Sequence, residues 1–172
     1  MTRETILISL RFLFLVLIQT LILNNVHLFG YINPNLYLLF VFLYPIEKER
    51  TNFLVISFLF GLCIDIFSNT GGINTAAIVA IAYLRLPILK LILNTQDLDY
   101  KLFRLDQETF PRIFVFIGVL TIIHHFILFG MEYLSFNEFP TILYKTMTTS
   151  IFTILLCIIS VYLTRKGDTS KF

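Results

Sequence analysis

Gly61-Leu62-Cys63-Ile64-Asp65-Ile66-Phe67-Ser68-Asn69-Thr70-Gly71-Gly72-Ile73-Asn74, continuing to Ala82-Tyr83-Leu84-Arg85, decides how this chain is read. It places a carboxylate inside one apolar run. It turns on an uncharged Gly-rich loop, then places an arginine inside the next apolar run. Charges in hydrocarbon are expensive, so each of these needs a compensating partner.

The composition around this hairpin is that of a membrane domain. Of 172 residues, 57% are hydrophobic and 14% charged, with a mean hydropathy of +0.84. Soluble domains carry about 25% charged residues. The chain is therefore expected to be one transmembrane domain over 1–172, with no room for a soluble catalytic domain. Cys63 and Cys157 both lie in apolar runs, which argues against a disulfide framework and a thiolate metal site. The first apolar run, 6–23, exceeds the apolar core of a signal peptide, and no small-x-small cleavage site follows it. It is expected to be a retained span.

Hydropathy divides the chain into six expected spans, near 6–23, 35–46, 53–67, 73–93, 113–134 and 141–164. Asn33-Pro34 reads as a cap and first-turn proline of the second. Pro87 is expected to kink the fourth. The second and third are short for a crossing of about 20 residues. A re-entrant pair would bury the turn at 47–50 in mid-membrane, so two short crossings are the better reading. The loops at 24–33, 68–72 and 135–140 hold no Lys or Arg. The opposite side carries Arg3, Lys48, Arg50, Lys101, Arg104, Arg112, Arg165, Lys166 and Lys171. This places both termini in the cytoplasm. Leu98, Leu102 and Leu105 suggest either a short amphipathic helix or a solvated connector within 94–112.

Counting rise along the helices from the expected span ends puts Asp65 and Arg85 within about 6 Å of the same depth. An interhelical Asp65–Arg85 ion pair locking the hairpin is the expected arrangement. The alternatives are a substrate or proton site, or two charges that snorkel or face water. Arg11 is expected to snorkel. Lys145 has Glu132 and Glu138 as its nearest acidic neighbours in sequence. His124 and His125 diverge by about 100° on a helix, without the spacing of a metal pair, and suit polar contacts inside the bundle. Thr141, Lys145, Thr148, Thr149, Thr153, Ser160 and Thr164 form a polar stripe suited to helix packing. No nucleophile elbow, phosphate-binding Gly loop, metalloprotease motif or nucleic-acid surface is visible, and no cofactor or metal ligand set emerges.

Asn33-Pro34-Asn35-Leu36, followed by an apolar run ending in Tyr44, resembles the start of the second span in MreD, the bacterial rod shape-determining membrane protein family. Gly61-x-x-x-Asp65, Ser68, Gly72 and Ala82-Tyr83-Leu84 resemble the central signature of that family. The resemblance implies a six-helix bundle similar to the S components of energy-coupling-factor transporters. It also implies a non-enzymatic scaffold of the cell-elongation complex in the cytoplasmic membrane. The implied partners are the single-span protein MreC and, indirectly, MreB, RodA and penicillin-binding protein 2. It carries no role for His124, His125 or the 94–112 connector. A vitamin-binding transporter subunit is the alternative, and would need a polar pocket lined from several spans. An intramembrane enzyme has no supporting motif.

Overall fold

The computed structural model describes residues 3–26, 32–46, 50–94, 105–134 and 136–164. Among these the chain is helical: α1 (Arg3–Leu21), α2 (Leu38–Leu43), α3 (Thr51–Ser68), α4 (Ile73–Leu93), α5 (Phe110–Tyr133) and α6 (Phe139–Thr164). Five of its helical segments are long and apolar enough to cross a membrane. Four are α3 to α6; the first extends from Thr5 to Asn25, beyond the end of α1. Of the expected amphipathic segment within 94–112, residues 95–104, with Leu98 and Leu102, lie outside the described residues, as does the charged turn at 47–49.

The distribution of side chains is the reverse of a soluble bundle. Leu10, Phe14, Leu21, Ile66, Phe67, Leu91 and Ile151 are exposed on the outer faces, while Gln19, Asp65, Arg85, His124, His125 and Thr153 are buried. That arrangement suits a surface bathed in lipid and an interior where polar groups can meet each other. In sequence order, α3 packs on α4, α4 on α5, and α5 on α6 as antiparallel neighbours, and α1 packs on α3. Asn24, just after α1, donates to Ser68 Oγ at the end of α3 (2.7 Å). The two helices therefore finish at the same end of the bundle, and the chain between them returns through its interior.

That return departs from the expected second span. Only Leu38–Leu43 is α-helical, and Leu38, Leu39, Phe40, Val41 and Phe42 are buried by the surrounding helices. The helix begins four residues after Pro34, so Asn33-Pro34 is not its cap. The reason is local competition for amides. Pro34 has no N–H, the Asn35 amide donates to Thr153 Oγ1 (3.1 Å), and the Tyr37 amide donates to Gln19 Oε1 (3.4 Å). The first turns are tight, with Leu38, Leu39 and Phe40 amides donating three residues back. At the other end Pro45 forces Tyr44 into an extended conformation (ψ 140°), which stops the helix. Non-helical backbone at this depth is tolerable because protein surrounds it.

Aromatic rings hold α2 in place. Phe40 stacks on Phe60 at 4.3 Å, and Phe12 meets both rings edge-on. On the far side Phe42 contacts Phe116. The α3–α4 pair comes closest at Gly61, where an added Cβ would lie 2.6 Å from the Thr75 Cα. Backbone cannot yield as a flexible side chain can. Gly61→Ala is thus expected to force the helices apart and to destabilise the protein by about 1–3 kcal/mol. Denaturant unfolding in detergent reads this, and an unchanged midpoint would refute the close-approach role.

Candidate functional site

Asp65 and Arg85 are both buried, each 4% exposed. They do not form the expected ion pair. The Asp65 carboxylate serves the start of α4. Its Oδ1 accepts the Asn74 amide (3.0 Å), Asn74 Nδ2 (3.1 Å) and the Thr70 hydroxyl (2.5 Å). Its Oδ2 accepts the Thr75 amide (2.8 Å) and hydroxyl (2.5 Å). The first residues of a helix leave amides without intrahelical partners, and an anion there also meets the positive end of the helix dipole. The residue that would normally supply a capping side chain is Gly72, which has none. Its φ of +97°, with Gly71 at +65°, shows why glycine occupies the turn. Asp65 also closes its own helix, since its carbonyl accepts the amides of Asn69 and Thr70. One residue thus ends α3 and begins α4.

Arg85 serves a different helix end. Its Nη2 donates to the carbonyls of Phe42 (3.4 Å) and Tyr44, the unpaired acceptors at the end of α2. Its guanidinium lies over the Phe53 ring at 5.1 Å. Arg11 adds a third bond to the same terminus, from Nη1 to the Leu43 carbonyl (2.8 Å). Rather than simply snorkelling, Arg11 helps cap α2. The depth count failed because it set Phe53 at the membrane edge. Phe53 packs against Arg85, eight residues before the end of α4, so α3 starts inside the bundle. Arg85 lies ten residues beyond Thr75, or about 15 Å along α4 from the Asp65 site.

Between these ends runs a polar network reaching every long helix. Tyr37 Oη donates to Asn74 Oδ1 (2.7 Å) and contacts His124 Nε2 (3.1 Å). With the phenolic proton directed to Asn74, the imidazole serves as donor through Nε2. His125 takes the opposite tautomer: Nδ1 faces the Thr121 carbonyl (2.8 Å), leaving Nε2 to accept from Asn35 Nδ2 (3.3 Å). Ser150 Oγ sits 3.4 Å from the same Nδ1. Gln19 Nε2 donates to the Pro34 carbonyl (3.2 Å) and to Asn24 Oδ1 (2.9 Å), which leads to Ser68.

The residues singled out from the sequence thus fall into different places. Asn35, Asp65 and the Pro34 carbonyl belong to the network, while Gly61 and Gly72 supply the close approach and the turn. Asn33 is half-buried, and Tyr83 is exposed. Of the polar stripe of α6, Thr149 and Thr153 turn inward, joined by Ser150, which the stripe did not include. Among the described residues Lys145 meets no carboxylate; its Nζ lies over the rings of Tyr133 (4.8 Å) and Phe129 (5.8 Å). Gln19, Tyr37 and Asn74 escaped notice in the sequence, although a lone Gln in the first apolar run was a signal for buried pairing. Among the described residues no group of three His, Cys, Asp or Glu could hold a metal ion.

Against known proteins, the chain matches no family model, no curated protein and no solved structure.

A double-mutant cycle distinguishes capping from pairing. Asp65→Ala is expected to cost about 2–4 kcal/mol, since it strips several buried donors of a charged acceptor. Its coupling to Thr75→Val should reach about 1 kcal/mol or more, and its coupling to Arg85→Gln should be near zero, within about 0.5 kcal/mol. The Asp65→Arg, Arg85→Asp swap should not restore stability. Recovery of the unfolding midpoint in the swapped protein would reinstate the ion pair.

Proposed function

We propose that this chain is a non-enzymatic scaffold of MreD type in the bacterial cell-elongation complex, passing the cytoplasmic membrane six times. Five passes are long helices, and the sixth is the buried return through α2. Both termini lie in the cytoplasm, and the bundle is similar to the S components of energy-coupling-factor transporters. Its direct partner is a MreC-like single-span protein, with MreB, RodA and penicillin-binding protein 2 engaged through it.

One observation supports this reading above others. Asn35, Gly61, Asp65 and Gly72, four of the residues that carry the resemblance, act on the packing and capping of helices. Their hydrogen bonds go to other parts of the same chain, and they fix where the helices stand. A scaffold requires such a body, because its task is to present a constant surface. A vitamin-binding subunit would instead need polar groups turned toward a cavity of about 300 Å³ or more.

Co-expression with the MreC-like protein from the same genome, followed by purification in mild detergent, provides the test. The two chains are expected to elute together in fixed stoichiometry. A destabilised Asp65→Ala variant should lose that association in step with its fold. Elution as a single chain carrying a bound small molecule would overturn the scaffold reading in favour of the transporter subunit.

A further inference from the structure

The end of the bundle where α3 begins gathers arginines on backbone carbonyls. Arg11 and Arg85 cap α2. Arg50, which precedes α3, reaches the Tyr83 carbonyl (3.5 Å) and lies 5.9 Å from the Tyr83 ring. That carbonyl is free because Pro87, four residues on, has no N–H to donate.

Arg50 and Arg85 share one cleft. Its walls include Pro45, Phe53, Ala82 and Leu86, and its hollow has a volume of about 20 Å³. Arg85 is buried and its Nε has no hydrogen-bond partner. Among the described residues, neither arginine forms an ion pair. A helix C-terminus offers roughly half a negative charge. The carbonyls therefore offset only part of the charge of the two guanidinium groups beside this cleft.

We infer that the cleft binds a phosphate-type anion, with Arg85 at its floor and Arg50 at its rim. A guanidinium fork matches phosphate oxygens in shape and charge. The hollow has room for about one water-sized atom group. The anion thus docks at the mouth and sends one oxygen inward. The apolar walls suit the glycerol and first methylenes of a phospholipid. Basic pockets between membrane helices bind anionic headgroups in this manner. A lipid phosphodiester and free inorganic phosphate share the same chemistry, and both are tested.

Full-length protein in detergent is examined by native mass spectrometry with added phosphatidylglycerol or phosphatidylcholine. Thermal unfolding is followed in parallel in phosphate and in chloride at equal ionic strength. Arg85→Gln risks the α2 cap, so Arg50→Gln and Arg85→Lys carry the test. The wild type should retain phosphatidylglycerol about fivefold better than phosphatidylcholine, and Arg50→Gln should lose that preference with little change in unfolding temperature. Arg85→Lys, which keeps the charge and loses the fork, should weaken binding to an intermediate degree. A rise in unfolding temperature with inorganic phosphate, absent in Arg50→Gln, together with no lipid preference, assigns the site to free phosphate. The inference fails if the wild type prefers neither anion, or if both variants bind as the wild type does. It also fails if an anion preference arises only after Glu47→Gln and Glu49→Gln, because the chain's own carboxylates would then fill the cleft.

Discussion

A backbone amide or carbonyl that has lost its helical partner finds no water in hydrocarbon, and each such group costs several kcal/mol if left alone. The architecture of this bundle follows from where it breaks its helices. α2 ends inside the protein, α4 begins behind a glycine, and Pro87 interrupts the hydrogen-bond ladder of α4. At each break a polar side chain from another element supplies the missing partner. Arg11 and Arg85 serve the end of α2 and Asp65 the start of α4, while Arg50 meets the Tyr83 carbonyl only at 3.5 Å in an exposed contact, where its loss costs little. Arg11, Asp65 and Arg85 are thereby placed by the helix ends they close.

The same constraint accounts for the network around Tyr37. The carbonyls of Asn35, Leu36 and Tyr37 accept from the first turns of α2, but the Pro34 carbonyl and the Asn35 and Tyr37 amides have no helical partner and turn to Gln19 and Thr153. Those side chains belong to the first and last long helices. A non-helical return thus holds the two extremes of the bundle together, which a regular helix with its backbone bonds internal could not do. Tyr37 then extends the link to α4 and α5 through Asn74 and His124. In a medium of low dielectric constant such bonds reinforce each other, and they define one arrangement of the helices where apolar packing alone would allow several.

The sequence made the long helices legible because continuous apolar runs of this length have few other fates. The ends of α3 to α6 lie within three residues of the expected bounds. The second segment was harder, because hydropathy cannot tell a buried, largely non-helical return from a regular spanning helix: both are apolar. Pro34 and Pro45 bracketed it, yet only the placement of Gln19 and Thr153 shows that its amides had partners elsewhere. The Asp65–Arg85 pairing failed for a related reason. Counting residues gives relative depth only if the counted helix ends lie at matching levels, and the first turn of α3 packs, through Phe53, against Arg85, eight residues before the end of α4. The outward appearance of two opposite charges on neighbouring helices was correct; their partners, being backbone groups, leave no mark in side-chain composition.

Capping differs from ion pairing in what it leaves behind. A paired Asp65 and Arg85 would cancel, making the hairpin neutral throughout. Separated by about 15 Å along α4, they leave a negative centre at one end of the bundle and a positive one at the other. Arg11 and Arg50 add to the positive end, on the side where α1 and α3 begin. A bilayer whose cytoplasmic face is electrically negative favours that end inward. In the proposed orientation the buried positive end and the cationic loops fall on the same side, although they arise from separate demands: one closes helix ends, the other follows the positive-inside rule. On this reading the arginine cleft opens toward the cytoplasmic leaflet, where anionic headgroups are concentrated.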